Sequence, residues 1–284
     1  MNRLLGAPSI LAAGALAMGC LASAQAADTV IDPAQSVAGL SQLALSQQWW
    51  QWAIASPAAT NPLFDSSGAH AGTNNQGPVY FLAGNLGGLS VRSFDVPVGK
   101  PVFFPVLNAF DAEVPGDPAC GLPCAYGFLD GQGMTGAVHL HATLDGKDLL
   151  LAAPDFRQRS TAFFPLDVPV DDPFGFPPPY EGTLAAVSDG YWVALDGLSP
   201  GKHTLVFGGT SSSGFTLEIV DFITAVPEPT TSALMLGGLL AIGAAARRRR
   251  GTTPASAAAG PGARATDPLL PSWPLATRAG GAGC

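Results

Sequence analysis

Basic residues are nearly missing from the middle of this 284-residue sequence. Between Ala27 and Ala225 there are six of them: Arg92, Lys100, Lys147, Arg157, Arg159 and Lys202. Nineteen Asp and Glu share that stretch, a net of −13 against −8 for the whole chain. So acidic a surface is repelled by phosphate backbones and anionic lipid headgroups, which argues against nucleic acid and acidic membrane surfaces as partners. Cysteine is as scarce: of four in all, Cys120 and Cys124 alone lie in the acidic stretch. Catalytic strings are missing too. There is no G-x-S-x-G elbow, no H-E-x-x-H, no P-loop and no Cys–His nucleophile arrangement. Carboxylate pairs for glycoside hydrolysis leave no mark in chain spacing, because only their separation in the fold matters.

What is present stands first at the two ends. Met1–Ala26 has Arg3, an apolar core through Leu21 and the small-residue site Ala24-Gln25-Ala26. This is the layout of a signal peptide cut before Ala27 by signal peptidase. Ala17-Met18-Gly19-Cys20 resembles a lipobox but lacks the leucine three residues before the cysteine, so lipidation at Cys20 is the lesser alternative. At the other end Pro227-Glu228-Pro229 precedes an apolar run, Thr230–Ala246, and then Arg247, Arg248, Arg249 and Arg250. An apolar helix closed by arginines is a membrane anchor whose basic end stays in the cytoplasm. At about seventeen residues, rich in Gly and Ala, it is at the short end for a span.

The order VPEPTTSALMLGGLLAIGAAARRRR resembles the PEP-CTERM sorting signal of Gram-negative bacteria. The resemblance implies export, recognition by an exosortase, transient anchoring in the inner membrane and cutting near Pro227-Glu228-Pro229. An uncut tail anchor is the plainer alternative. Such signals normally stop soon after the basic cluster; here residues 251–284 continue, rich in Ala, Gly and Pro and without periodicity, and are expected to be disordered.

The middle, residues 27–225, is long enough for one domain with its own core. Asp32-Pro33 has the chemistry of an N-cap and first helical position, and Ser56-Pro57 of a stop, so the pattern predicts a helix to about Ala55. Leu45, Trp49, Trp52 and Ala53 share one side of it, Trp50 lies at the edge, and Gln47, Gln48 and Gln51 cluster opposite. Short β-rich runs separated by Gly, Pro and Asp then follow: 79–82, 90–96, 101–106, 137–144, 147–152, 191–195, 202–207 and 215–223. Asp145-Gly146 between two of them marks a hairpin. No second helix shows before the anchor, and Val168–Tyr180 reads as a long proline-rich loop. The pattern predicts a mainly β fold: antiparallel strands in a β-sandwich or jelly roll on one N-terminal amphipathic helix, with a C-terminal transmembrane helix. The segments WWQWAIASPAATNPLFDSSGAH, GPVYFLAG and VRSFDVPVGKPVFFPVLN, within Trp49–Asn108, also resemble a group of exported bacterial proteins of no assigned activity. Members of that group carry cysteines where this chain has His70 and Phe94, which implies that a disulfide of the group is absent here.

Several constellations admit two readings. Gly131-Gln132-Gly133-Met134-Thr135-Gly136 matches G-x-G-x-x-G, but a strand-like run follows where a dinucleotide site needs a helix, so it reads as a turn. Cys120 and Cys124 form a local disulfide in an oxidising compartment, or bind zinc with His139 and His141. His139 and His141 share one strand face, with His203 on a later strand as a third candidate ligand. The alternative is that both are solvent-facing, and no metal or other cofactor is expected. Asp167, Asp171, Asp172 and Glu181 concentrate carboxylates as a calcium loop would, without EF-hand spacing. Trp49, Trp50 and Trp52 are a sugar-stacking platform or core; helical spacing favours core, with Trp50 the residue left for a ligand. The reading that results is an exported, non-enzymatic cell-surface or extracellular protein associated with exopolysaccharide or biofilm matrix. The runner-up is a secreted carbohydrate-active enzyme or metal-dependent carbohydrate-binding module.

Overall fold

The computed structural model describes residues 28–114, 121–152, 155–176, 181–227 and 237–243. The chain divides into two compact units, Met1–Pro229 and Thr230–Cys284. Of the second, residues 237–243 are helical and exposed. Among the described residues no helix is long and apolar enough to cross a membrane. The rest of the expected span, the signal peptide, the four arginines and the 251–284 tail lie outside the described residues.

The first unit is mainly β. Helix α1 (Gln42–Ala55) precedes β1 (Tyr80–Phe81), β2 (Gly88–Pro97) and β3 (Val102–Ala112), and helix α2 (Gly121–Gly131) follows them. Then come β4 (Val138–Leu144), β5 (Lys147–Asp148), β6 (Arg157–Arg159), β7 (Phe164–Val168), β8 (Gly182–Leu195), β9 (Gly201–Thr210) and β10 (Thr216–Val226). Two open sheets result. One has the order β1-β3-β8-β6 with β7 also beside β8, and the other β2-β10-β9-β4-β5.

The sheets share a core. Phe104, Val106 and Val193 of the first meet Leu205, Phe207, Ile219 and Ile223 of the second. The opposite face of the first sheet carries α1, where Leu45, Trp49, Trp52 and Ile54 pack on Phe103, Leu166, Trp192 and Ala194. The Trp192 and Phe103 rings stack 5.3 Å apart, 5° from parallel. Two pairings differ from the antiparallel expectation: β1 runs parallel to β3 and β10 parallel to β2. Both are pairings between strands distant in sequence, which no tight hairpin constrains.

The helix starts nine residues later than the Asp32-Pro33 signal suggests, capped by Ser41 and beginning at Gln42. Asp32 Oδ1 does accept from the Ala34 N–H at 2.8 Å, but it closes a turn. Positive φ at Ala38 (50°) and Gly39 (85°) then breaks any helix, and Ser41 caps α1 by accepting from the Ala44 N–H. The second helix, α2, is a further departure. Its sequence, GLPCAYGFLDG, has little helical preference, and it is held by Ala125 and Leu129 packing on Val187.

Trp50 is also buried, not left at an open edge: it is 6 % exposed, as is Trp52. Phe110 of β3 lies 4.3 Å from the Trp50 ring and covers it. The glutamine side of α1 is put to use as well. Gln51 pairs with the backbone of Asp167, accepting from its N–H and donating to its carbonyl, both at 2.8 Å.

Candidate functional site

A bulge in β3 builds the most site-like feature of the molecule. Before the bulge Val102 and Phe104 face the inter-sheet core and Phe103 faces α1. The pairing with β8 slips between Pro105 and Leu107. Val106 and Leu107 then both enter the inter-sheet core, while Phe110 and Ala112 turn to the α1 side. Asn108 takes the α1 side with them, as the period of two requires. Its place depends on Gly190 of β8, where a Cβ would come within 2.7 Å of the Asn108 Cβ and 2.8 Å of the Leu107 carbonyl oxygen.

Asn108 and Phe110 thereby line a cavity of ≈ 220 Å³ together with Trp49 and Trp50 of α1. Asn85 and Leu86 between β1 and β2, Gln132 and Met134 between α2 and β4, and Phe174 and Phe215 are also in its lining. Asp172 folds the loop that supplies Phe174, its Oδ1 accepting from the Phe174 and Phe176 N–H groups. This is what the acidic loop does here; Asp167 likewise accepts from the Thr183 hydroxyl at 2.6 Å. No lining residue carries a charge. Two donors in the lining are buried without an acceptor: the Trp50 indole N–H and the Asn108 amide. The neighbouring Trp49 indole, by contrast, donates to the Leu82 carbonyl at 2.8 Å. The Asn85 amide is occupied in its own turn, donating to Gly88 and accepting from Gly87.

A larger and shallower groove of ≈ 830 Å³ runs past Tyr80, Asp95, Lys202 and His203. Its perturbed groups are committed elsewhere. Burial, with the Asp95 charge, pushes the Tyr80 hydroxyl up to about 12. Asp145 Oδ2 lies 2.8 Å from His203 Nδ1, and the Ser199 carbonyl oxygen 2.9 Å from Nε2. Burial opposes the charge on His203, but those two acceptors outweigh it and its pKa is raised. We therefore place the candidate site in the smaller cavity, whose lining includes two residues, Trp50 and Asn108, with a donor left unpaired.

The three candidate histidines are not brought together. His139 sits at positive φ (54°) where the β4–β9 register slips, which breaks the shared face the alternation suggested. His141 Nε2 faces Glu218, 3.1 Å away. His203 pairs with Asp145 of the β4–β5 turn, and β9 has Gly208, five residues further on, opposite His141. Among the described residues no group of three or more His, Cys, Asp or Glu is placed to hold a metal ion. The G-x-G-x-x-G string is a turn: Gly133 (φ 80°) sits against the β9–β10 connection, its carbonyl accepting from the Ser212 N–H at 2.9 Å. Cys124 is disulfide-bonded; Cys120 lies outside the described residues.

The sorting segment follows β10 directly. Pro227 is the residue after Val226; Glu228, Pro229 and Arg247–Arg250 lie outside the described residues. A family profile, the PEP-CTERM protein-sorting motif, matches residues 225–250. The motif implies an exported protein, sorted by exosortase to the cell envelope or surface. No curated protein and no solved structure matches the chain.

Proposed function

We propose that the chain is a non-enzymatic component of the cell surface or extracellular matrix that associates with exopolysaccharide. The sorting motif at 225–250 carries this reading, because it begins where β10 ends and makes the two-sheet domain the exported cargo. In this reading signal peptidase removes residues 1–26. The apolar run 230–246 then holds the protein in the inner membrane until exosortase cuts near Pro227-Glu228-Pro229. A jelly-roll-like or sandwich scaffold suits such cargo, since loops at its ends present ligand surfaces. The use of the buried charges favours binding over catalysis. Asp221 is paired with Arg92 and Asp189 with Arg157, and both pairs hold strands together.

Mass spectrometry of the protein recovered from the cell surface and medium tests processing. The expected product starts near Ala27 and lacks the residues after Pro229; full-length protein in the cytoplasm overturns the reading. Co-sedimentation of the recovered protein with exopolysaccharide from the same cells tests the partner, and no enrichment over a non-exported control removes it.

A further inference from the structure

We propose that the wider groove binds an extended, uncharged glycan chain of two or more sugar units, laid across β2, β10 and β9. The inference rests on the matrix reading above and supplies its point of contact. The spare donors of the smaller cavity are buried, whereas the groups on the groove floor reach solvent. That floor is the face of the second sheet turned away from the core. The register sets two rows across the strands: Ser93, Phe222 and Thr204, then Asp95, Thr224 and Lys202. All six line the groove. Phe222 is 48 % exposed, so its ring is open to the C–H face of a pyranose. The hydroxyls of Ser93, Thr204 and Thr224 make no hydrogen bond among the described residues, and the Asp95 carboxylate and Lys202 ammonium join no ion pair there. Hydroxyls both donate to and accept from a sugar, and the two ionised groups add the stronger, charge-assisted bonds.

The groove is built before any ligand arrives. Asp65 folds the wall beside β2, accepting from the Ser67 N–H and hydroxyl and from the His70 N–H. The Ser67 carbonyl in turn accepts from the Ser93 N–H at 2.9 Å. Gly68 (φ 93°) lets this wall lie on the strand, since a Cβ there would come within 2.5 Å of the Ser93 carbonyl oxygen. At ≈ 830 Å³ the groove is in the upper part of the ~300–1,000 Å³ range of small-ligand sites, with room for more than one ring. Asp95 and Lys202 stand on strands two apart, about 10 Å from each other at the usual strand spacing. One sugar ring is shorter than that, so neighbouring units of a chain meet the two charges. Those charges cancel, in a domain of net −13. A polyanion is repelled by the surface around the groove, and a polycation is drawn to that surface at large, so the groove selects an uncharged chain.

The test titrates the exported protein by calorimetry with neutral glucose and N-acetylglucosamine oligomers, from the monosaccharide upward. Affinity is expected to rise with length and to level off once the groove is full. Phe222→Ala and Asp95→Asn should each weaken binding of the longest oligomer about tenfold, the value of a lost ring contact or charge-assisted hydrogen bond. Neither should lower the melting temperature by more than an ordinary surface substitution does, because both side chains face solvent. A purely structural role predicts the reverse, a lower Tm with unchanged affinity, and overturns the inference. Binding that both variants retain in full places the site elsewhere and overturns it too. So does a dimer in ultracentrifugation that Phe222→Ala dissolves while no oligomer binds, because the face then meets a second copy of the chain. Preference for uronic-acid oligomers over neutral ones refutes the choice of ligand. If no oligomer binds while the protein still co-sediments with exopolysaccharide, the inference fails and the matrix reading stands.

Discussion

Arg92 and Asp221 face each other across the parallel β2–β10 pairing, with side chains 4 % and 0 % exposed. Nε and Nη2 reach the two carboxylate oxygens at 2.8 and 3.1 Å. The same guanidinium donates to the Ala83 and Gly84 carbonyls at 2.6 and 3.3 Å, in the connection after β1. One side chain thus joins the second sheet to a connection leading from the first, beside the cavity. Removing one member of such a buried pair costs about 3–5 kcal/mol, because the other is left charged and dry. That is a large share of the ~5–15 kcal/mol that a domain has in total. At ~2–4 °C per kcal/mol for this size, Asp221→Ala should lower Tm on the order of 6–20 °C. Asp221→Asn keeps an acceptor for Nε and should lose less.

Arg92→Met adds a sign that can be checked. Burial already raises the Asp221 pKa, against the pull of Arg92. Without Arg92 the ionised carboxylate is disfavoured further, so the destabilisation is full at neutral pH. It shrinks as falling pH protonates Asp221. Urea melts of the exported protein between pH 5 and 8, read by circular dichroism, measure this. Single-variant losses below about 1 kcal/mol, or an Arg92→Met loss indifferent to pH, would refute the reasoning.

His203 makes an opposite pH statement. Both its ring nitrogens face acceptors, so only the imidazolium satisfies both, and the raised pKa gives stability present below ~6.5 and lost as pH rises through the folded value. Melts of wild type and His203→Gln across that range should diverge at low pH and converge at high pH; parallel curves would contradict the assignment. Thiol alkylation of the native exported protein should label neither Cys120 nor Cys124, and Cys120→Ser should expose Cys124 at a cost of about 2 kcal/mol, as a short loop constrains the unfolded chain weakly. Trp49→Ala should cost ~3–5 kcal/mol in denaturant melts, since the ring is 1 % exposed and packed between Trp50, Trp52 and Trp192. A loss below 1 kcal/mol would show that the helix face is not core.

The sequence disclosed whatever depends on local pattern. Asp145-Gly146 is the β4–β5 turn, with φ of 53° and 79°. Alternation located β2, β9 and β10 to within a few residues. It passed over β6, Arg-Gln-Arg, which has no apolar residue; pairing with β8 and the Arg157–Asp189 ion pair at 2.6 Å hold it. It also passed over β7, although Phe164, Leu166 and Val168 alternate inward; Pro165 is tolerated there because β8 is the one strand that β7 pairs with. Arg92 could have been flagged, because it occupies an inward position between Ser90 and Val96. The cavity could not. It needs the β3 bulge, Gly190 opposite it and a loop folded by Asp172, which meet only when segments distant in sequence pack.

The sorting segment's attachment point also has a mechanical consequence. β10 lies between two neighbours, with ten residue pairs to β2 and ten to β9. Tension on the chain beyond Pro227 pulls along this strand. Both ladders are then loaded in shear, and their hydrogen bonds must give way together instead of peeling one by one. The parallel partner resists sliding in the same direction as the pull, and the Arg92–Asp221 bond crosses that seam as a rivet. Tugged through the anchor before exosortase cuts, the domain would yield late, and its first failure would be the detachment of β10 from between β2 and β9.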